Sequence, residues 1–216
     1  MGVPEDLTVF ESVTVSAIKD FIAMPAPKIL VIPGSLRTGS HNTRLAALAV
    51  KELALADAEV TRISLEDYPL PLFDPDLAAS SGPPQPAVRL KKMLMAHRGV
   101  FITSPEYSAS VTPLLKNAID WVSRVREGAE PTYAAFKGRV FALGSATASS
   151  SGGVRSMMAL RQILELGCGA LVIPEQVSVP RAEQAFDDND NLKDEAVAAA
   201  LRAAARRLVE LAGMMG

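Results

Sequence analysis

Cysteine is nearly absent from this chain: Cys168 is the single one among 216 residues. A lone thiol excludes an internal disulfide and any multi-cysteine metal site, and it fits a reducing compartment. Histidine is almost as scarce, with only His41 and His97, so a histidine-rich metal centre is not expected. No stretch approaches the roughly 20 uninterrupted apolar residues of a membrane span. An excess of one charge is also missing. The formal net charge of −2 offers neither a basic field for nucleic acid nor a strongly acidic docking face. The start lacks the basic residues of a secretory signal, and Glu5, Asp6, Glu11 and Asp20 interrupt its apolar residues, so a cytoplasmic protein is expected.

What is present is ordinary for a globular protein, with 49% apolar and 21% charged residues. The length suits one well-filled core and is short for two domains. Residues 1–27 form an extension whose Phe10, Val13, Ile18, Phe21 and Ile22 could line a loose helix face. A poorly ordered segment ended by Pro25 and Pro27 is the competing reading. The body, 28–213, reads as one domain.

Short apolar runs alternate with helical stretches along that body. Residues 28–33 (KILVIP) and 99–103 (GVFIT) are continuous apolar runs suited to buried parallel strands. Further strands are expected at 59–65, 139–143 and 170–173, with 177–179 as a candidate continuation of the last. Helices are expected at 42–56, 87–97, 113–125, 153–166 and 194–211, and 68–86 reads as a long irregular excursion. Strands separated by helices argue for right-handed βαβ units in a three-layer α/β sandwich. Ligands in such sheets bind beyond the carboxyl ends of the strands, where strand order reverses. The loops after strands one, three and four therefore carry the functional question.

The first loop runs GSLRTGSHN over 34–42 and leads straight into a helix. A helix start offers unpaired N–H groups and the positive end of a dipole. Ser35, Ser40, Asn42 and Thr43 add side-chain donors, and Arg37 adds charge. A hydroxyl-rich connection whose Ser40 or Asn42 caps the helix is the plainer alternative. Neither G-x-x-x-x-G-K-[ST] nor G-x-G-x-x-G occurs, and no cysteine lies in the loop. What remains suits a single terminal phosphate bound without metal. The third-strand loop holds Pro105, Glu106, Tyr107, Ser108 and Ala109, whose backbone groups could meet the edge of a planar heterocycle. The fourth-strand loop, from Ser145, Ala146 and Thr147 to Gly153, is small, polar and able to approach a flat ligand closely. A proline turn and a serine linker are the bland readings of these two.

These segments resemble the NAD(P)H-dependent FMN reductases, the flavodoxin-like quinone and chromate reductases. The resemblance is carried by GSLRTGSHN at 34–42, PEYSAS at 105–110 with LLKNAIDWVSR at 114–124, and GGVRSMMALRQIL at 152–164. It implies a flavodoxin-like three-layer sandwich with a five-stranded parallel sheet in the order 2-1-3-4-5. It also implies that Ser35, Arg37, Ser40 and Asn42 hold the FMN phosphate and that Pro105, Glu106, Tyr107 and Ser108 border the ring. Ser145, Ala146 and Thr147 would close the ring pocket, with ring-facing backbone donors around Ala109 and Ser145. The chemistry implied is hydride transfer from NADPH or NADH to FMN, then electron transfer to a quinone, free flavin, chromate or azo compound. No side chain need act as a nucleophile. Three departures stand out: Ser108 replaces the family's usual asparagine, Thr112-Pro113 replaces its usual Pro-Gly, and residues 1–27 are additional to the family pattern.

An electron carrier of the flavodoxin type and a flavin-free anion-binding domain are the rival functions, the first disfavoured by the weak net charge. Cys168, Trp121 and the Met157–Met158 pair read as packing residues, and His41 as a solvated helix-start histidine. Arg202, Arg206 and Arg207 read as a solvated face. A homodimer or homotetramer is expected, with 68–86 supplying a wall for a shallow cleft across a two-fold axis.

Overall fold

A computed structural model describes residues 25–215. Five parallel strands form one sheet, β1 (Lys28–Pro33), β2 (Glu59–Arg62), β3 (Gly99–Thr103), β4 (Val140–Ala146) and β5 (Leu171–Val179). Their spatial order is 2-1-3-4-5, as expected. Six α-helices are described between and after them: α1 (His41–Leu55), α2 (Pro75–Ser81), α3 (Gln85–Met95), α4 (Pro113–Arg124), α5 (Val154–Gln162) and α6 (Glu195–Met214). None of these is long and apolar enough to cross a membrane. The helical face suggested for the N-terminal extension falls on residues outside those described.

The apolar runs make buried strands because both faces of the sheet are covered. Successive side chains of a strand point to opposite faces, so β1 divides its residues between two cores. Leu30 and Ile32 join Leu90, Leu115, Ile119 and Met157 in the layer of α3, α4 and α5. Ile29 and Val31 join Leu45, Ala49, Ala204 and Leu208 in the layer of α1 and α6. Cys168 lies in the first of these layers, and burial raises its thiol pKa to about 11.

Several elements depart from expectation, β2 among them, which ends at Arg62 rather than at residue 65 because Leu65–Asp67 form a short 3-10 turn. β4 continues to Ala146 because Gly144, Ser145 and Ala146 pair with Val177, Ser178 and Val179. β5 is accordingly one strand, with an irregularity that carries the partner from Val172 opposite Phe141 to Gln176 opposite Leu143. The excursion at 68–86 contains α2 and is clamped to α4. Asn117 donates to the Pro71 carbonyl at 2.9 Å, Trp121 Nε1 donates to the same oxygen at 2.8 Å, and Phe73 meets the Trp121 ring edge-on at 5.1 Å. Tertiary hydrogen bonds thus order a segment whose local sequence reads as loop.

Candidate functional site

The strand order reverses between β1 and β3, and the carboxyl ends of β1, β3 and β4 lie side by side there, with Pro33 opposite Thr103 and Thr103 opposite Gly144. The loops leaving these ends are tied to one another by buried bonds. The Gly34 amide donates to the Thr103 carbonyl at 2.6 Å, and the Ser104 amide to the Gly144 carbonyl at 2.9 Å. Thr103 Oγ1 donates to the Asn42 carbonyl, Thr112 Oγ1 to the Gly34 carbonyl, and Ser145 Oγ to the Ser104 carbonyl, at 2.9, 2.9 and 2.7 Å. Asn42 closes the set: its Nδ2 donates to the Ala146 carbonyl at 2.8 Å and its Oδ1 accepts from the Ala146 amide at 3.0 Å.

A cleft of about 300 Å³ opens between the tied loops. The first loop lines it with Ser35, Arg37, Ser40, His41 and Asn42, the third-strand loop with Pro105, Glu106 and Tyr107. Across from them stand Ala146, Thr147 and Ala148, and Glu183 from the segment after β5. Ser40 starts α1 but makes no side-chain cap to it, so its hydroxyl is not used by the helix. The amides of Thr43 and Arg44 turn back to the Ser40 carbonyl, leaving those of His41 and Asn42 without a backbone acceptor among the described residues. Ser35 Oγ accepts weakly from the Arg37 amide at 3.3 Å and keeps its proton available. The Arg37 guanidinium lies exposed against the Thr38 and Gly39 carbonyls. Donors outnumber acceptors here, which suits a small anion.

His41 Nδ1 is buried without a partner among the described residues. Burial lowers the pKa of His41, Arg37 and Arg44 lower it further, and Glu183 opposes them. Its ring lies parallel to Phe186 at 6.3 Å. Arg37 and Arg44 add positive charge beside this ring, on top of the larger effect of burial.

Several residues singled out in the sequence do different work. Glu106 is a brace: its carboxylate accepts from the Arg155 and Ser156 amides at 3.1 and 3.3 Å, capping the start of α5, and from Arg155 Nε at 2.8 Å. Asn42 lines the cleft with its carboxamide already committed to Ala146. Ser145 is fully buried inside β4, because that strand runs past its expected end. A Cβ at Gly153, where φ is +78°, would overlap the Ser145 hydroxyl, so only glycine lets α5 begin this close to β4. Thr43 lines a neighbouring hollow on the β2 side of the loop. Ser108 and Ala109 are exposed at the tip of a two-residue turn, with φ of +48° and +61°. Tyr107 and Ser110 exchange both backbone bonds across that turn, at 3.0 and 2.9 Å. Asn-Gly is the favoured pair for such a primed turn, so Ser-Ala is a strained substitute costing about 1–2 kcal/mol per residue. Thr112, the second departure, caps α4 by accepting from the Leu115 amide at 3.2 Å. His41, Ala148, Glu183 and the Arg155 partner of Glu106 were not assigned from sequence. His41, Ala148 and Arg155 lie inside segments singled out by sequence, whereas Glu183 lies outside all of them.

A family model described as NADPH-dependent FMN reductase matches residues 27–184. A Pseudomonas aeruginosa protein described as an NAD(P)H-dependent FMN reductase is 36% identical over 170 residues, 78% of this chain and 85% of its own length. An Escherichia coli quinone reductase is 35% identical over 138 residues, 63% of this chain and 69% of its own. Among solved structures, the flavoenzyme NAD(P)H:(acceptor) oxidoreductase FerB of Paracoccus denitrificans superposes with a TM-score of 0.70 at 26% identity, covering 88% of this chain and 100% of that one.

The Asn42 clasp gives a direct test. Asn42→Ala leaves the buried Ala146 amide and carbonyl without that partner and should cost about 2 kcal/mol. Thermal denaturation should fall by roughly 4–8 °C. An unchanged melting temperature would show that the clasp contributes nothing.

Proposed function

Because the chain belongs to the NADPH-dependent FMN reductase family, we propose that the cleft between the three loops is its FMN site. The protein is an NAD(P)H-dependent FMN oxidoreductase serving quinone or flavin acceptors. When bound, FMN would supply the two-electron chemistry between the nicotinamide nucleotide and the acceptor. The chain's own residues bind, orient and enclose. Ser35 and Ser40 donate hydroxyls to the phosphate, the amides of His41 and Asn42 add the helix-start field, and Arg37 turns from its own loop carbonyls to supply charge. Thr43 supports this end from the far side of the loop. Pro105 and Tyr107 border the ring, with Ala146, Thr147 and Ala148 opposite. Glu106, Ser108, Ala109 and Ser145 shape that wall through the backbone. The observation that supports this most directly is Ser40, buried at the mouth of α1 with a hydroxyl its own helix does not use.

We assign residues 28–213 as the FMN-binding unit. The single buried thiol suits a reducing compartment and supports a cytoplasmic enzyme, which cell fractionation checks. Self-association as a homodimer or homotetramer is supported by the apolar rim of the cleft. Val154 and Met158 stand one helical turn apart on α5, both exposed, near exposed Tyr107, whose neighbour Glu106 is held to Arg155.

Three measurements bear on this. Purified protein should take up FMN and lose its visible flavin band when NADPH is added anaerobically, and Ser40→Ala should weaken FMN binding about tenfold with little effect on riboflavin. A protein that stays colourless with excess FMN would sink the assignment. With only two histidines, the His41 ring protons are readily assigned by NMR. Their titration should lie below the usual value of about 6.5 in the free protein and move to higher pH with FMN but not with riboflavin, since only a nearby phosphate favours the imidazolium. Sedimentation at micromolar concentration should show an oligomer, and a monomer would refute self-association.

A further inference from the structure

The first loop separates the cleft from a larger hollow of about 500 Å³ on the β2 side, which the FMN reading leaves without a role. Ser35, Arg37 and Ser40 line both, so the hollow adjoins the end of the cleft proposed for the flavin phosphate. Resting on the reading that the cleft takes FMN and meets a nicotinamide nucleotide, we propose that this second hollow binds the adenosine 2′-phosphate of NADPH and that Arg62 reads it.

The charge in the lining supports an anion. Arg37, Arg44 and Arg62 face a single carboxylate, Glu66. Each guanidinium stands differently. Arg44 is fixed, its Nε donating to Asp190 at 2.7 Å and its plane lying 4.3 Å from the centre of the Phe186 ring. Arg37 rests on its own loop and is the group proposed to serve the flavin phosphate. Arg62, exposed at the end of β2, has no hydrogen-bond or ion-pair partner among the described residues. An unengaged planar fork at the wall of a cavity is suited to bidentate contact with a phosphate. Thr38, Thr43 and Ser64 add hydroxyls around it.

Geometry also limits which anion this is. The pyrophosphate is common to NADPH and NADH and must lie between the two nucleosides. The hollow adjoins the phosphate end of the cleft and shares none of the residues proposed to border the ring, so a nucleotide with its nicotinamide at the ring would bring its distal nucleoside toward this side. NADH presents a neutral hydroxyl at that position and NADPH a phosphate monoester of charge near −2. Glu66 penalises an unphosphorylated site less than a phosphorylated one, so discrimination falls on the arginines, and Arg62 is the one without another task.

The test uses the FMN-loaded protein and two adenosine probes. Calorimetry should show adenosine 2′,5′-bisphosphate binding at least about tenfold tighter than adenosine 5′-monophosphate, the range of one charge-assisted pair. Arg62→Ala should remove about tenfold of that preference and lower the NADPH-to-NADH ratio of kcat/KM by a similar factor. Arg62→Lys should keep part of both, and the FMN dissociation constant should stay as it was. Equal binding of the two probes by the parent protein would overturn the proposal, as would a variant that loses NADPH and NADH activity in equal proportion. Failure of the reductase reading looks different: neither nucleotide would bleach the flavin, whatever the adenosine probes do.

Discussion

Asn42 joins the start of α1 to the end of β4 through two hydrogen bonds to one residue, Ala146. Everything at the binding edge depends on this clasp and on the shorter ties beside it. A parallel sheet sets its strand ends side by side but leaves the loops beyond them free to splay. Here Thr103, Thr112 and Ser145 reach from one loop to a carbonyl of the next. Because these bonds are buried, each group would be costly to leave unmade. The loops are therefore held as one rigid rim before any ligand arrives, and a ligand meets a shape that needs little further ordering.

The polar residues of the rim divide into two sets. One set faces inward between the loops and has its hydrogen bonds satisfied: Asn42, Thr103, Thr112 and Ser145. The other faces the cleft with capacity to spare, namely Ser35, Ser40 and the exposed Arg37. Glu106 shows how strict the division is. It lies on the lining, yet its carboxylate caps α5 and pairs with Arg155, fixing the third-strand loop against the helix that follows β4. A negative group so engaged does little to repel an anion placed across the cleft.

Much of this is legible in the sequence. The continuous apolar runs at 28–33 and 99–103 suit buried strands and their alternation with helices points to a parallel sheet, while the strand order 2-1-3-4-5 comes from the family resemblance. Three loops at one edge followed from that order. What sequence could not separate was a hydroxyl that ties from a hydroxyl that faces a ligand. Ser40 and Ser145 have the same chemistry and are both buried; what distinguishes them is that Ser145 spends its hydroxyl on the Ser104 carbonyl while α1 leaves that of Ser40 unused. Ser145 was misplaced because β4 gains three more pairings from β5, a tertiary effect with no local signature. Glu183 and Phe186 escaped notice because they reach the site from the connection after β5, far from any of its motifs. The segment 68–86 reads as irregular by composition, and Asn117 and Trp121 on another element fasten it through hydrogen bonds to Pro71.

The burial of Cys168 has a consequence for an enzyme of this kind. Quinones are oxidants and also electrophiles, and they arylate accessible thiolates. A reductase that admits them to an open cleft risks being covalently poisoned by its own substrate. Its one thiol lies in the layer of α3, α4 and α5, with the proton held to about pH 11 by the apolar surroundings. Scarcity and depth together leave the chain almost no sulfur nucleophile to lose, so turnover with reactive acceptors need not shorten its working life.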